Sequence, residues 1–219
     1  MDGKIFIIMG KSATGKDTVY ERVLKLLPDL KPVIPYTTRP IREGEVDGQA
    51  YHFVTEDGLA QMESEGLVIE KRVYHTVHGD WYYFTADDMD REEKSRGDKR
   101  DIYDLGEDAK ERDQADHIMI TTLEGYEKIR DHFGEDSVVP IYIEVDDITR
   151  IERALAREKH EEQPCVAEVC RRFLADDEDF SEDKLARVGI KNRIVNDDLE
   201  QAVSEVCEYV TGKKEVPAS

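Results

Sequence analysis

Long apolar runs are missing from this chain. No stretch reaches the roughly 18 apolar residues that a membrane-spanning helix requires. The amino terminus lacks the basic, apolar and small-residue layout of a secretory leader, so a cytoplasmic protein with no membrane partner is expected. Cysteine is scarce too: Cys165, Cys170 and Cys207 are too few, and odd in number, for a disulfide framework. Cys165 and Cys170 have no matching second pair, which argues against four-ligand zinc. His75 and His78 read as polar loop or strand positions. Positive charge is in short supply, with 31 Lys and Arg against 51 Asp and Glu and a net charge of −20. That balance argues against nucleic acid as the main partner. A small anionic ligand remains open to it, provided cations and backbone amides gather in one place.

The residues that are present alternate between two patterns. Lys4-Ile5-Phe6-Ile7-Ile8-Met9 is short, apolar and rich in β-branched residues, and Gly10 bounds it. Such a run predicts a strand buried on both faces of a parallel sheet. Residues 18–27 place Val19, Val23, Leu24 and Leu27 at helical spacing before Pro28. Residues 117–122 and 138–145 predict two more buried strands, with a helix between them over 123–133. Helices are also expected over 148–157, 166–176 and 199–210. Strands alternating with helices give an α/β fold, a parallel sheet flanked by helices. Residues 87–116 are densely charged with aperiodic apolar positions, which predicts a solvated insertion. Residues 212–219 read as a polar tail.

Gly10-Lys11-Ser12-Ala13-Thr14-Gly15-Lys16 follows the first strand and opens the first helix. Glycines let such a loop curl and turn its N–H groups inward, and the helix adds the positive end of its dipole. Lys16 places a point charge where the β- and γ-phosphates of a nucleotide would lie. The next position normally carries Ser or Thr, whose hydroxyl touches Mg²⁺; here it is Asp17, followed by Thr18. A second anion site is suggested by Arg39 and Arg42, whose forked donors suit a phosphate.

Those arginines lie in a string, Thr37-Thr38-Arg39-Pro40-x-Arg42-x-Gly44-Glu45-x-Asp47-Gly48-x-x-Tyr51-x-Phe53, that resembles the acceptor-binding signature of guanylate kinases. Glu70, Tyr82-Tyr83-Phe84-Thr85 and Ile194-Val195-Asn196-Asp197-Asp198 fit the same pattern. The resemblance implies a P-loop core at about 1–34, 117–150 and 176–211, a nucleoside-monophosphate-binding region at about 35–86 and a helical lid at about 151–175. One domain would then cover 1–211. It implies ATP as donor, Mg²⁺ as cofactor and small nucleotides as ligands, in a monomer or homodimer. Residues 10–18 and Asn196 would hold ATP. Arg39, Arg42, Glu45, Tyr51 and Tyr83 would surround the acceptor phosphate, Glu70 and Thr85 would read guanine, and Arg153, Arg157 and Arg172 would be lid arginines. Lys16, Arg39, Arg153 and Arg157 would carry catalysis.

Two family acids are absent: Ile120 and Thr122 stand where Asp-x-Asp is usual, and Pro35 replaces a small hydroxyl residue. Asp17 is a candidate replacement for the lost Mg²⁺ carboxylate. A changed acceptor, another nucleotide or a phosphosugar, stays open, since a ribose bisphosphate kinase resembling this family also carries Gly-Lys-Asp. A non-catalytic binding module is the remaining alternative, though such modules tend to lose the phosphate loop.

Overall fold

The computed structural model describes residues 3–42, 44–76, 79–87, 115–161, 164–190 and 193–213. The expected insertion at 87–116 and the tail therefore lie almost entirely outside the described residues. β1 (Ile5–Met9) is buried along its whole length. Its odd positions join one apolar cluster with Met119, Tyr126, Ile129 and Leu185. Its even positions join another with Val19, Val23, Ile118 and Val203. Both faces of the sheet are thus covered, which is why the strand reads as a continuous apolar run rather than an alternating one. Each of these side chains contributes about 2 kcal/mol through burial.

β1 is followed by α1 (Lys16–Leu26), β2 (Lys31–Pro32), β3 (Tyr36–Thr37) and β4 (His52–Phe53). Next come α2 (Glu56–Ser64), the hairpin β5 (Val68–Thr76) and β6 (Gly79–Ala86), and β7 (His117–Ile120). α3 (Leu123–Phe133) and β8 (Val138–Glu144) lead to the pair α4 (Asp147–Glu158) and α5 (Val166–Asp179). α6 (Glu182–Arg187), β9 (Arg193–Val195) and α7 (Leu199–Val210) complete the order. The main sheet runs β2-β7-β1-β8-β9 and is parallel throughout. A parallel sheet with helical crossovers puts loops at the carboxyl ends of its strands, the usual place for ligands in open α/β folds. Pro140 sits inside β8, where it lacks a ladder donor. β9 pairs only with Tyr142 to Glu144, so the sheet has no second neighbour at Pro140 to require one.

A smaller sheet, β4-β3-β6-β5, carries residues of the predicted acceptor region. α3 packs against β5, and Ile69 reaches the main core. Among the described residues, no helix is long and apolar enough to cross a membrane. Sequence periodicity set the 123–133 and 199–210 helices to the residue, but it ran 117–122 two residues past β7. The reason is local: Thr122 leaves the strand to cap α3, its Oγ1 accepting from Gly125 N–H at 3.2 Å.

Candidate active site

The phosphate loop leaves β1 and closes on the first turn of α1. Gly10 is forced by space, because a Cβ there would stand 2.5 Å from the Ile143 carbonyl oxygen on the next strand. Gly15 has φ 79°, and Ala13, with φ 64°, shares the left-handed region. A side-chain-bearing residue held there costs on the order of 1–3 kcal/mol, which the surrounding structure must offset. Thr14 Oγ1 donates to the Lys11 carbonyl at 2.9 Å, and Asn196 Nδ2 donates to the Thr14 carbonyl at 2.7 Å. Asn196 is therefore spent on bracing the loop from β9. Its neighbours Val195 and Asp197, with Lys11, Thr14, Tyr142 and Arg150, line a cavity of about 420 Å³. Lys16 begins α1, partly exposed, with Nζ 3.7 Å from the Asp17 carboxylate. Free helix amides, a curled loop and a cation are the ingredients of a polyphosphate cradle.

Arg39 is 4% exposed, and its fork meets Glu45 at 2.9 Å (Nη1 to Oε2) and 2.8 Å (Nη2 to Oε1). Glu45 also accepts from the Arg42 backbone N–H at 2.7 Å. The Arg39 bond first, and then the Arg42 amide, hold the Glu45 carboxyl down at about 2. The Arg39 guanidinium lies 5.8 Å from the Tyr51 ring and 5.3 Å from the Phe53 ring. Tyr51 meets Tyr83 edge-on at 5.5 Å, and Tyr83 meets Tyr74 at 5.2 Å. Burial pushes the Tyr51 phenol up, so its hydroxyl is a neutral donor at pH 7. Arg42 is exposed at the rim.

The depressed Glu45 carboxyl gives an acid-side prediction. The unfolded chain takes up its proton first, near 4.5, while the folded chain holds out to about 2. Stability from this pair is therefore complete above pH 4.5 and lost as pH falls toward 2. Urea unfolding of the parent and Glu45→Gln between pH 3 and 7 should give a difference that is level down to about pH 4.5 and shrinks below it. A difference constant across that range contradicts the pairing.

Side chains alternate along β5, so Glu70, Arg72 and Tyr74 share one face. Their partners across the ladder, Thr85, Tyr83 and Trp81, extend it. Glu70 is 3% exposed and accepts from Thr85 Oγ1 at 2.8 Å. Glu70, Tyr83 and Thr85, three of the expected site residues, thus stand on one small sheet, with Arg39 and Tyr51 in the loop between β3 and β4.

The α4–α5 pair borders the phosphate loop. Arg157 and Arg172 line a narrow cleft together with Ser12 of the loop. Arg153 instead donates to the Asn196 carbonyl at 3.2 Å. Asp176 accepts from Ser12 N–H at 2.8 Å and from its hydroxyl at 3.2 Å, and Lys11 pairs with Asp177 at 2.6 Å. These bonds tie the end of α5 to the phosphate loop.

Sequence reasoning missed Arg150, which is 1% exposed and stacks 4.5 Å over the Phe173 ring. Its Nε is 3.3 Å from Asp147 and its Nη1 3.7 Å from Asp176, close enough for attraction, yet none of its nitrogens has an aligned hydrogen bond. Its position three residues before Arg153 on the same helix was the only available signal. Thr122, in place of a family acid, caps α3, and Ile120 packs on the apolar cluster beside β1. Asp17 is largely exposed next to Lys16. Among the described residues no group of three or more His, Cys, Asp or Glu gathers around a metal position. His75 pairs with Asp80 at 2.7 Å, while His78 lies outside the described residues.

The family model for guanylate kinase matches residues 2–86. The guanylate kinase of Syntrophotalea carbinolica is 38% identical over 81 residues, 37% of each chain. That of Salinibacter ruber is 26% identical over 205 residues, 93% of each. The stronger of these two likenesses thus spans little more than a third of the relative's length. The crystal structure of guanylate kinase from Anaplasma phagocytophilum superposes with a TM-score of 0.62 at 17% identity, covering 98% of this chain and 88% of that one. In residues 2–86 the chain is thus similar in sequence to guanylate kinases, and along nearly its whole length it shares the fold of one of them.

Proposed function

We propose that this chain transfers the γ-phosphate of ATP to the phosphate of GMP, giving ADP and GDP. The observation that carries the reading is the buried Glu70–Thr85 pair on the same sheet face as Tyr83, beside Arg39 and Tyr51. A carboxylate accepts from two adjacent N–H donors, which guanine presents at N1 and N2 and adenine does not. Arg39, Arg42 and the tyrosines are suited to the monoester phosphate. Residues 35–86 would form the acceptor region and 151–175 the lid.

The 420 Å³ cavity beside Lys11 and Thr14 would take the donor's nucleoside, and residues 10–18 its phosphates. Transfer itself asks the protein for alignment and charge neutralisation rather than for a covalent intermediate. Lys16 would neutralise charge on the β- and γ-oxygens. Arg157 and Arg172 would do so from the lid as it closes and excludes water, with Arg153 held nearer Asn196.

Asp17 is the acid beside Lys16 suited to hold Mg²⁺ together with the donor phosphates, and such an ion supplies further neutralisation. Asp17→Ser should then lower kcat by roughly tenfold or more and raise the Mg²⁺ concentration needed for half-maximal rate. Parent-like activity and Mg²⁺ dependence in that variant would remove Asp17 from the metal site.

A different acceptor is favoured by one specific fact, the absence of both family acids at Ile120 and Thr122. ADP release measured with GMP, dGMP, AMP, UMP and ribose phosphates separates the readings. GMP should give the highest kcat/KM, and a far faster alternative acceptor would replace it. No ATP binding at all would leave only a binding module.

A further inference from the structure

Nothing in the family pattern accounts for Arg72. It lies two residues beyond Glu70 on β5 and opposite Tyr83 on β6. Its Nε stands 3.2 Å from Glu70 Oε2 and its Nη2 3.3 Å from Oε1, so both carboxylate oxygens face one guanidinium side-on. The Glu70 side chain is only 1% exposed, and that of Arg72 is 24% exposed. A carboxylate that dry loses most of its hydration, at a cost of several kcal/mol unless a cation and hydrogen bonds replace the water. Arg72 and Thr85 are the groups that do so among the described residues. The remaining charged groups nearby have other partners. Arg39 is forked onto Glu45, and on α3, packed behind β5, Glu124 pairs with Lys128 and Glu127 with Arg187.

We infer that Arg72 is a positioning residue for base recognition: it holds the Glu70 carboxylate charged and oriented so that its one open acceptor site meets the N–H edge of the acceptor base. A carboxylate offers about four acceptor sites, and the two Arg72 bonds and one Thr85 bond leave one site open. The Arg72 bonds, at the long end of the range, are also the ones that can lengthen further as a base approaches. Arg72 thereby does for Glu70 what a surrounding shell of water would do in an open site, without competing for the base plane as mobile water would. It also explains how a pocket that has lost a family acid at Ile120 or Thr122 keeps a functional carboxylate. The remaining acid is locked to its own cation.

The inference rests on GMP being the acceptor, and a double-mutant cycle separates the two claims. KM and kcat for GMP are measured for the parent, Arg72→Met, Arg72→Lys, Glu70→Gln and the Arg72→Met/Glu70→Gln pair, with KM for ATP as a control of the fold. Arg72→Met should raise KM for GMP by roughly tenfold while kcat and KM for ATP change less than about twofold, since binding to the base edge is lost and not transition-state charge. Arg72→Lys should recover most of the loss. In the Glu70→Gln background, Arg72→Met should add less than about twofold, because its effect travels through the missing carboxylate. A full additional tenfold on that background, or a fall in kcat with KM unchanged, overturns the inference. If Arg72→Met does not fold, Arg72→Gln carries the same cycle. If the parent does not turn over GMP, the acceptor reading falls by itself. The cycle is then read on urea stability, where additive effects of the two substitutions would still overturn the Arg72–Glu70 coupling.

Discussion

Lys16→Met should lower kcat by on the order of 10²- to 10³-fold, the usual cost of losing one preorganised charge at a phosphoryl-transfer site. Lys16 is the first residue of α1, and its side chain makes no hydrogen bond in the described structure beyond proximity to Asp17 at 3.7 Å. Its removal should therefore leave the fold intact. The loop keeps its curl through Gly10, Gly15 and the Thr14 brackets from Lys11 and Asn196. Thermal unfolding close to the parent's, together with lost turnover, would assign the effect to chemistry. Turnover within threefold of the parent would show that the loop is not the donor site.

Glu70→Gln carries the second large effect. A carboxamide of nearly the same shape replaces one acceptor oxygen with an N–H₂ donor, so it meets a guanine N–H with like polarity. Leaving that donor pair unsatisfied in a buried site should raise KM for GMP by about 100-fold, or about 2.8 kcal/mol. KM for ATP should not move, and selectivity for GMP over AMP should fall by a similar factor. The parallel loss of both acceptors' rates, with unchanged selectivity, would mean that Glu70 supports the sheet and does not read the base.

Lys16 stands out as a candidate in the sequence because it sits inside a loop string with a local physical demand, whereas Glu70 lies outside residues 37–53 and is reached only through the family resemblance. The strand–glycine–lysine–helix order announces the loop, and the density of Arg, Tyr, Gly and Asp between residues 37 and 53 announces the acceptor side. Burial of β1 was legible for a similar reason, since only a strand covered on both faces tolerates five apolar residues in succession.

What stayed hidden depends on contacts distant in sequence or on side chains outside any motif. Asp176 meets Ser12 across 164 residues, and nothing near Asp176 marks it as more than part of an acidic run. Arg150 is a charged residue on an outwardly polar helix, and its burial arises only when Phe173 of α5 closes over it. Arg72 reads as an exposed strand cation until the β5–β6 pairing turns it onto the face of Glu70. α6 has six residues, too few for its periodicity to stand out. Asn196 was read as a ligand neighbour, and its buried amide is committed to the loop backbone.

The central claim is that the two anion cradles serve one reaction. Its most direct test uses ATP labelled in the γ-phosphate, GMP, Mg²⁺ and the purified chain, with products separated after less than one turnover. The account predicts that the label appears in the β-phosphate of GDP, with little in free phosphate and on the order of a hundredth as much or less transferred by Lys16→Met in the same time. Label found only in free phosphate, or retained in ATP while GMP is bound, would contradict it.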